Sequence, residues 1–177
     1  MKILGVSGSL KASSTNTNLI RAAAALAPVE VQIDLYGGLA DLPHFSPDLD
    51  GDDPPNAVQQ WRKALQSADA VLISTPEYAY GMPGSLKNAL DWTVSSGEFV
   101  AKPVATLSAS PTASGGARAH SSLVLTLTAL SAVIVEGAQL MVPLVRTKLD
   151  ENGHVHDPML TEALKVVIDA LLRSVAP

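Results

Sequence analysis

The sequence predicts an α/β fold in which a parallel β-sheet is covered by helices on both faces. Three observations carry this expectation. Apolar runs rich in β-branched residues alternate with segments of helical periodicity, strand then helix, five times along the chain. One of these runs, Asp69 to Thr75 (DAVLIST), lacks the alternation of a half-exposed strand and reads as buried on both faces. The stretches that carry hydroxyls, glycines and aromatics follow directly on strands, at the carboxyl edge where open α/β sheets place their ligands.

Taken in order, Lys2 to Val6 is an apolar run ending in Ser-Gly-Ser, and Thr17 to Ala27 follows as an alanine-rich helix with Leu19, Ala23 and Leu26 on one stripe. Val29, Val31, Ile33 and Leu35 alternate with polar residues, which predicts a second strand, ending at Gly37 and Gly38, with one face less buried, as on an edge. Leu42 to Pro55, rich in proline and aspartate, is a loop; Ala57 to Ser67 is a helix anchored by Val58, Trp61 and Leu65. After DAVLIST comes the loop PEYAYGMPG, then a helix on which Leu86, Ala89, Leu90, Thr93 and Val94 recur while Lys87 and Asp91 fall on another face. Trp92 belongs either to the core or to a contact with a second subunit.

Pro103 to Ser108 is the next strand. A serine- and glycine-rich turn leads into a largely apolar helix from about Ala117 to Ser131, which reads as deeply packed. Gln139 to Val145 fits a last strand, and Pro143 places it at an edge because proline cannot donate to the ladder. Leu160, Ala163, Leu164, Val167, Ile168 and Leu171 form the stripe of a closing helix.

Composition narrows the function. With 177 residues, 47% of them hydrophobic, the chain suffices for one core and hence one domain. A net charge of −5 without a Lys/Arg cluster argues against a nucleic-acid partner, leaving small-molecule chemistry. The absence of cysteine removes disulfides, CxxC pairs and thiolate metal sites, so redox work requires a bound cofactor. The opening MKILGVSGSL has too short an apolar stretch for a signal peptide, and no run approaches the ~20 apolar residues of a membrane span, so the cytoplasm is the expected compartment.

The first loop, GVSGSLKASSTNTN, gathers Ser7, Ser9, Ser13, Ser14, Thr15, Asn16 and Thr17 at a helix start, with Lys11 adding positive charge. Helix starts attract anions through unpaired N–H donors and the dipole, which suits a monophosphate; an ordinary N-capping turn is the plainer alternative. Neither GxxxxGK[ST] nor GxGxxG appears in Gly5 to Asn18, and no His or acid is placed by motif to activate Ser7 or Ser9 as a hydrolase nucleophile. His154 and His156 form an HxH pair without a third ligand nearby, which favours an exposed turn over a metal site. Asp48, Asp50, Asp52 and Asp53 lack the spacing and closing glutamate of an EF-hand and read as a solvated acidic loop.

GSLKASSTN together with PEYAYGMPGSLKNALDW resembles the NADPH-dependent FMN reductases, a flavodoxin-like group that includes quinone, azo-dye and chromate reductases. The resemblance extends to SASPTASGGAR (108–118) and to KLDENGHVHDP before the last helix. It implies a three-layer flavodoxin-like sandwich with a five-stranded sheet in order 2-1-3-4-5. It also implies FMN as cofactor, with NADPH or NADH as electron donor, a quinone-like or other small acceptor, and a homodimer or tetramer. Position by position, it puts Ser9, Lys11, Ser14 and Asn16 around the FMN phosphate, Lys11 standing where the family usually has arginine and supplying a point charge instead of a fork. Pro76, Glu77, Tyr78 and Ala79 match the loop against the isoalloxazine, and Ser110, Gly115 and Gly116 the loop on the ring's other side. Arg118 is the candidate contact to the nicotinamide nucleotide's phosphate. The chief departure is Ala79, where the family pattern PEYN has asparagine. No catalytic side chain is implied, since the flavin carries the redox chemistry. The rival readings are a flavodoxin-like electron carrier and a chain that has lost its flavin.

Overall fold

The computed structural model describes residues 1–150 and 152–175; Glu151, within the tail segment of the resemblance, lies outside the described residues. Five strands, β1 (Lys2–Ser7), β2 (Gln32–Leu35), β3 (Ala70–Thr75), β4 (Pro103–Ala109) and β5 (Val133–Val142), form one sheet in the order β2-β1-β3-β4-β5. All four pairings are parallel. The intervening helices are α1 (Thr15–Leu26), α2 (Asn56–Gln66), α3 (Gly84–Asp91), α4 (Ala117–Ala129) and α5 (Pro158–Val175). The class is the one that the sequence predicts, and the sheet order is the one that the family resemblance implies.

Two apolar layers explain why the chain folds this way. Ile3, Leu72, Ala105 and Leu107 face α1 and α5, burying Leu19, Ala23, Leu164 and Ile168. Leu4, Val6, Val71 and Ile73 face the other way, onto Trp61 of α2, Leu86 and Leu90 of α3, and Leu123 and Leu127 of α4. Every residue of β3 is buried, as an unalternating run requires. Each fully buried leucine or isoleucine contributes about 1.5–3 kcal/mol relative to exposure. Trp92 is core: it is fully buried, its indole N–H donates to Pro43 C=O at 2.9 Å, and Phe45 packs edge-on at 5.1 Å.

The differences from the sequence reading have local causes. Helix α1 begins at Thr15, two residues before the expected Thr17, because Ser14 caps it by accepting the Thr17 N–H at 3.4 Å. Strand β2 begins only at Gln32, since Val29 stands wholly in solvent and the N–H of Val31 turns back to Pro28 C=O. Strand β5 starts at Val133, six residues early. Its ladder skips: Val104 faces Ile134 while Thr106 faces Gln139, and Gly137 at φ +79° lies within the extra length, so no alternation marks the first half. Pro143 falls just beyond the strand, which is an edge strand as that proline indicates.

Helix α4 is not deeply packed. Ala119, His120, Leu123 and Leu127 are buried, but Leu125 is 73% exposed. Nor is the acidic loop wholly solvated. Asp50 is buried against Arg62, whose guanidinium also donates to Trp92 C=O, and it accepts the Ser95 hydroxyl at 2.6 Å. Burial raises the Asp50 pKa, but the hydrogen bonds from Ser95 and Arg62 and the Arg62 charge outweigh it, leaving a net lowering below the usual 3.8.

Arg62→Ala strands this carboxylate and is expected to cost about 3 kcal/mol in urea denaturation at neutral pH. Because the folded-state pKa is depressed, the pair's contribution is complete above the unfolded value of 3.8 and is lost as pH falls through the lowered folded value. The stability gap between wild type and variant therefore narrows on acidification; a gap constant down to acid pH would contradict the assignment.

Candidate functional site

Three loops meet at the carboxyl edge of the sheet, and hydrogen bonds between them define a cleft. The first, between β1 and α1, is tied down by Asn16. Its buried side chain accepts from Ser74 Oγ at 2.8 Å and from the Ala109 N–H at 3.1 Å, and donates through Nδ2 to Ala109 C=O at 3.2 Å. One amide thus joins the start of α1 to the ends of β3 and β4. Ser9 Oγ accepts the Lys11 N–H at 3.3 Å, and Ser7 Oγ accepts from Thr17 Oγ1 at 2.8 Å. Near these hydroxyls the first-turn N–H groups of α1 lack carbonyl partners, as at any helix start.

The second loop follows β3. Tyr78 and Gly81 exchange N–H···O=C bonds of 3.0 Å each, closing a two-residue hairpin whose central residues, Ala79 and Tyr80, both have positive φ, +48° and +63°. This is the type I′ sense, for which asparagine and glycine are preferred at the central positions. The family asparagine at position 79 therefore suits the backbone as well as any ligand. The Glu77 carboxylate turns toward α4, accepting the N–H groups of Arg118 at 2.9 Å and Ala119 at 3.1 Å. The N-cap of α4 is Gly116, which has no side chain to cap with, so Glu77 supplies the cap from 41 residues away, with its charge at the positive end of the dipole. The Arg118 guanidinium lies over the Tyr80 ring at 4.0 Å, a second tie between hairpin and helix.

The third loop follows β4. Gly115 and Gly116, at φ +62° and +80°, turn the chain into α4. A Cβ at Gly115 would crowd Pro143 N at 3.2 Å, and one at Gly116 would crowd Ser108 Cβ at 3.3 Å, so with their left-handed φ both positions favour glycine. Ser108 Oγ donates to Gly115 C=O at 2.7 Å, and Ser110, Thr112 and Ser114 chain their hydroxyls at 2.8 and 2.9 Å. Beneath this loop His120 is buried, with Nε2 at 3.0 Å from Thr106 Oγ1; burial lowers its pKa and keeps the imidazole neutral at physiological pH.

The resulting cleft has a volume of about 340 Å³. Of the sequence-predicted residues, Ser9, Lys11, Ser14, Asn16, Pro76, Glu77, Tyr78 and Ser110 line it. Ala79, Gly115, Gly116 and Arg118 do not: Ala79 sits at the hairpin tip, the glycines form the turn into α4, and Arg118 is stacked on Tyr80. The sequence reading also missed lining residues, notably Thr112 and Arg146. Arg146 carries no motif; its one signal is a cation just past the carboxyl end of a strand.

A larger hollow, of about 420 Å³, lies between α3 and α4, but its charged lining groups, Lys87 and Asp91, pair with each other at 2.6 Å, and the Thr93 and Thr126 hydroxyls donate to main-chain carbonyls. The smaller cleft combines polarity with a flat wall. Lys11, Arg146, the serine and threonine hydroxyls and the α1 N-terminus gather anion-binding groups, and Pro76, Tyr78, Pro111 and Val145 give surfaces for a planar group. That donor set fits the phosphate and ring of a flavin mononucleotide. A doubly wound sheet of this order with such a cleft at its switch edge defines a flavodoxin-like nucleotide-binding protein.

Comparison with known proteins gives the family. The sequence model of the NADPH-dependent FMN reductases matches residues 1–147, and the chain belongs to that family. An NAD(P)H-dependent FMN reductase of Pseudomonas aeruginosa is 35% identical over 97% of this chain and 93% of its own. A 2-hydroxy-1,4-benzoquinone reductase of a Burkholderia species is also 35% identical, over 96% of this chain and 93% of its own. Among solved structures, the flavoenzyme FerB of Paracoccus denitrificans, an NAD(P)H:(acceptor) oxidoreductase, superposes with a TM-score of 0.85 at 27% identity, covering 97% of both chains. Family membership makes the chain a flavoprotein oxidoreductase.

Ala79→Asn relieves a left-handed alanine and is expected to stabilise the apoprotein by about 0.5–1 kcal/mol in urea denaturation, with no flavin present. A loss of stability would show that the hairpin is not in this conformation in solution. Glu77→Ala removes the only side-chain cap on α4 among the described residues and is expected to cost about 1–2 kcal/mol in the same assay; a neutral result would contradict that role.

Proposed function

We propose that this chain is an FMN-dependent NAD(P)H oxidoreductase that delivers electrons from reduced nicotinamide to a small, planar, quinone-like acceptor. It works as a single flavin-binding domain in the cytoplasm and as a homodimer or tetramer. The observation that carries this reading is one cleft with hydroxyls and cations for a phosphate, beside a rigid proline- and tyrosine-bearing wall for a flat ring. The benzoquinone reductase among the relatives supports the acceptor class.

Bound FMN supplies the redox chemistry, and the residues of this chain bind and orient it. Ser9, Lys11 and Ser14 hold the phosphate together with the first N–H groups of α1, and Asn16 keeps those groups in place from below. The segment Pro76 to Ala79 borders the ring through its backbone. Its geometry is set by the hairpin and by Glu77 on α4, so donors are in place before the ligand arrives and little ordering is left to oppose binding. Ser110, in the loop that the turn at Gly115 and Gly116 leads into α4, borders the other side, while Arg118 and Tyr80 form an exposed rim that meets the nicotinamide nucleotide.

Assembly is supported by the α3–α4 hollow, where Val94, Val100 and Leu125 are 63%, 61% and 73% exposed. Exposed apolar side chains around a hollow that also carries the Lys87–Asp91 pair suit a second copy of the chain.

Stopped-flow mixing with NADPH is expected to bleach the flavin absorbance directly; bleaching only by a partner protein would make this an electron carrier. In equilibrium titration of apoprotein, Ser9→Asp is expected to raise the FMN dissociation constant by about ten-fold or more through like-charge repulsion. An unchanged constant in a folded variant would remove the phosphate assignment. Light scattering of Leu125→Glu is expected to give a smaller mass than wild type, and a monomeric wild type at micromolar concentration would overturn the assembly.

A further inference from the structure

We infer that Arg146 is a second phosphate-binding residue, facing Lys11 across the cleft, and that it sets the preference for a phosphorylated flavin; this rests on the flavin reading above. Lys11 and Arg146 come from opposite ends of the chain, yet both line the flavin cleft and both line an adjoining hollow of about 390 Å³ that runs toward Asn18, Leu149 and Asp150. Ser13 and Thr15 are shared by the two as well. The four residues thus mark one place: a hydroxyl pair with a cation from each side. Neither the Lys11 nor the Arg146 side chain has a hydrogen bond or ion pair among the described residues.

The nearby carboxylates among the described residues are already engaged. Glu77 is bound to the α4 N-terminus. Asp150 accepts the N–H groups of Asn152 and His154 at 2.8 and 2.9 Å, and its other oxygen lies 3.1 Å from His154 Nδ1. Among the described residues, two cations therefore share a cleft with no free carboxylate between them, an arrangement completed by a bound anion. A phosphate monoester, at close to two negative charges, calls for more than one lysine, and Arg146 adds the planar two-donor fork that Lys11 lacks.

The backbone that carries Arg146 is held for this purpose. Val142 C=O accepts the Ser110 N–H at 3.2 Å, Leu144 N–H donates to Thr112 C=O at 3.1 Å, and Val145 N–H donates to Ser110 C=O at 3.1 Å. The short 3-10 turn Val145–Thr147 is in this way sewn to the loop that lines the flavin cleft, with Val145 buried as its anchor. Leu144 adopts φ +51°, a costly conformation for a leucine, and its side chain is only half covered. The strained turn brings Arg146 back over the carboxyl edge of the sheet, and strain of this kind concentrates at ligand sites.

The test is fluorescence titration of apoprotein with FMN and, separately, with riboflavin, for wild type, Arg146→Gln and Arg146→Lys. Arg146→Gln is expected to weaken FMN binding by about ten-fold while leaving riboflavin within about two-fold, with Arg146→Lys in between. The FMN affinity of Arg146→Gln is also expected to fall less steeply with added salt than that of wild type. An unchanged FMN-to-riboflavin ratio in Arg146→Gln, or an equal loss for both flavins, overturns the inference. The two levels separate in the wild-type titrations. Equal wild-type affinity for FMN and riboflavin would remove the phosphate site altogether, whereas a wild-type preference that survives Arg146→Gln would remove Arg146 alone.

Discussion

The side-chain amide of Asn16 is the contact on which the site depends. It sits in the first turn of α1, yet its partners are Ser74 at the end of β3 and the main chain of Ala109 at the end of β4. The strand ends of a parallel sheet diverge into separate loops, and nothing in the sheet ladder itself fixes one loop against the next. A buried amide that satisfies donors and acceptors from two strand ends does so, because leaving any of them unpaired costs about 1–3 kcal/mol. Hydroxyls and N–H donors gathered at the α1 start thereby gain a fixed relation to the walls of the cleft.

Glu77 extends the same logic to the second and third loops. Its carboxylate is placed to cap a helix whose own N-terminal residue is a left-handed glycine with no side chain to offer. A serine at position 116 would be strained, because its φ of +80° is left-handed and its Cβ would crowd Ser108 at 3.3 Å. The cap has to come from elsewhere in the chain. The result is a cleft whose three sides brace each other, suited to a reaction in which the bound cofactor does the chemistry and the protein provides position.

Much of this was legible in the sequence because it rests on local pattern. β3 is buried on both faces and reads as an unbroken apolar run; α2 and α5 are amphipathic and read as stripes; the PEYAYGMPG loop sits between a strand and a helix and reads as a ligand loop. What was not legible depends on distant partners. Nothing near Asp50 signals that Arg62 and Ser95 will bury it, and nothing in PEY indicates that the glutamate reaches α4. The early half of β5 was hidden because the skipped ladder around Gly137 destroys alternation. The exposed side of α4 looked like core because leucine and valine on a helix have the same pattern whether they meet a sheet, solvent or another subunit. Arg146 was invisible for a similar reason: an isolated cation past a strand end acquires meaning only when the fold brings Lys11 opposite.

The central claim is that these braced loops form an FMN site, and the most direct measurement is the flavin content of the purified protein. After gel filtration, acid release followed by chromatography is predicted to yield FMN at about one molecule per chain, or apoprotein that takes up FMN to that ratio and keeps it through a second filtration. A folded protein that is colourless and remains so after incubation with FMN would contradict the account.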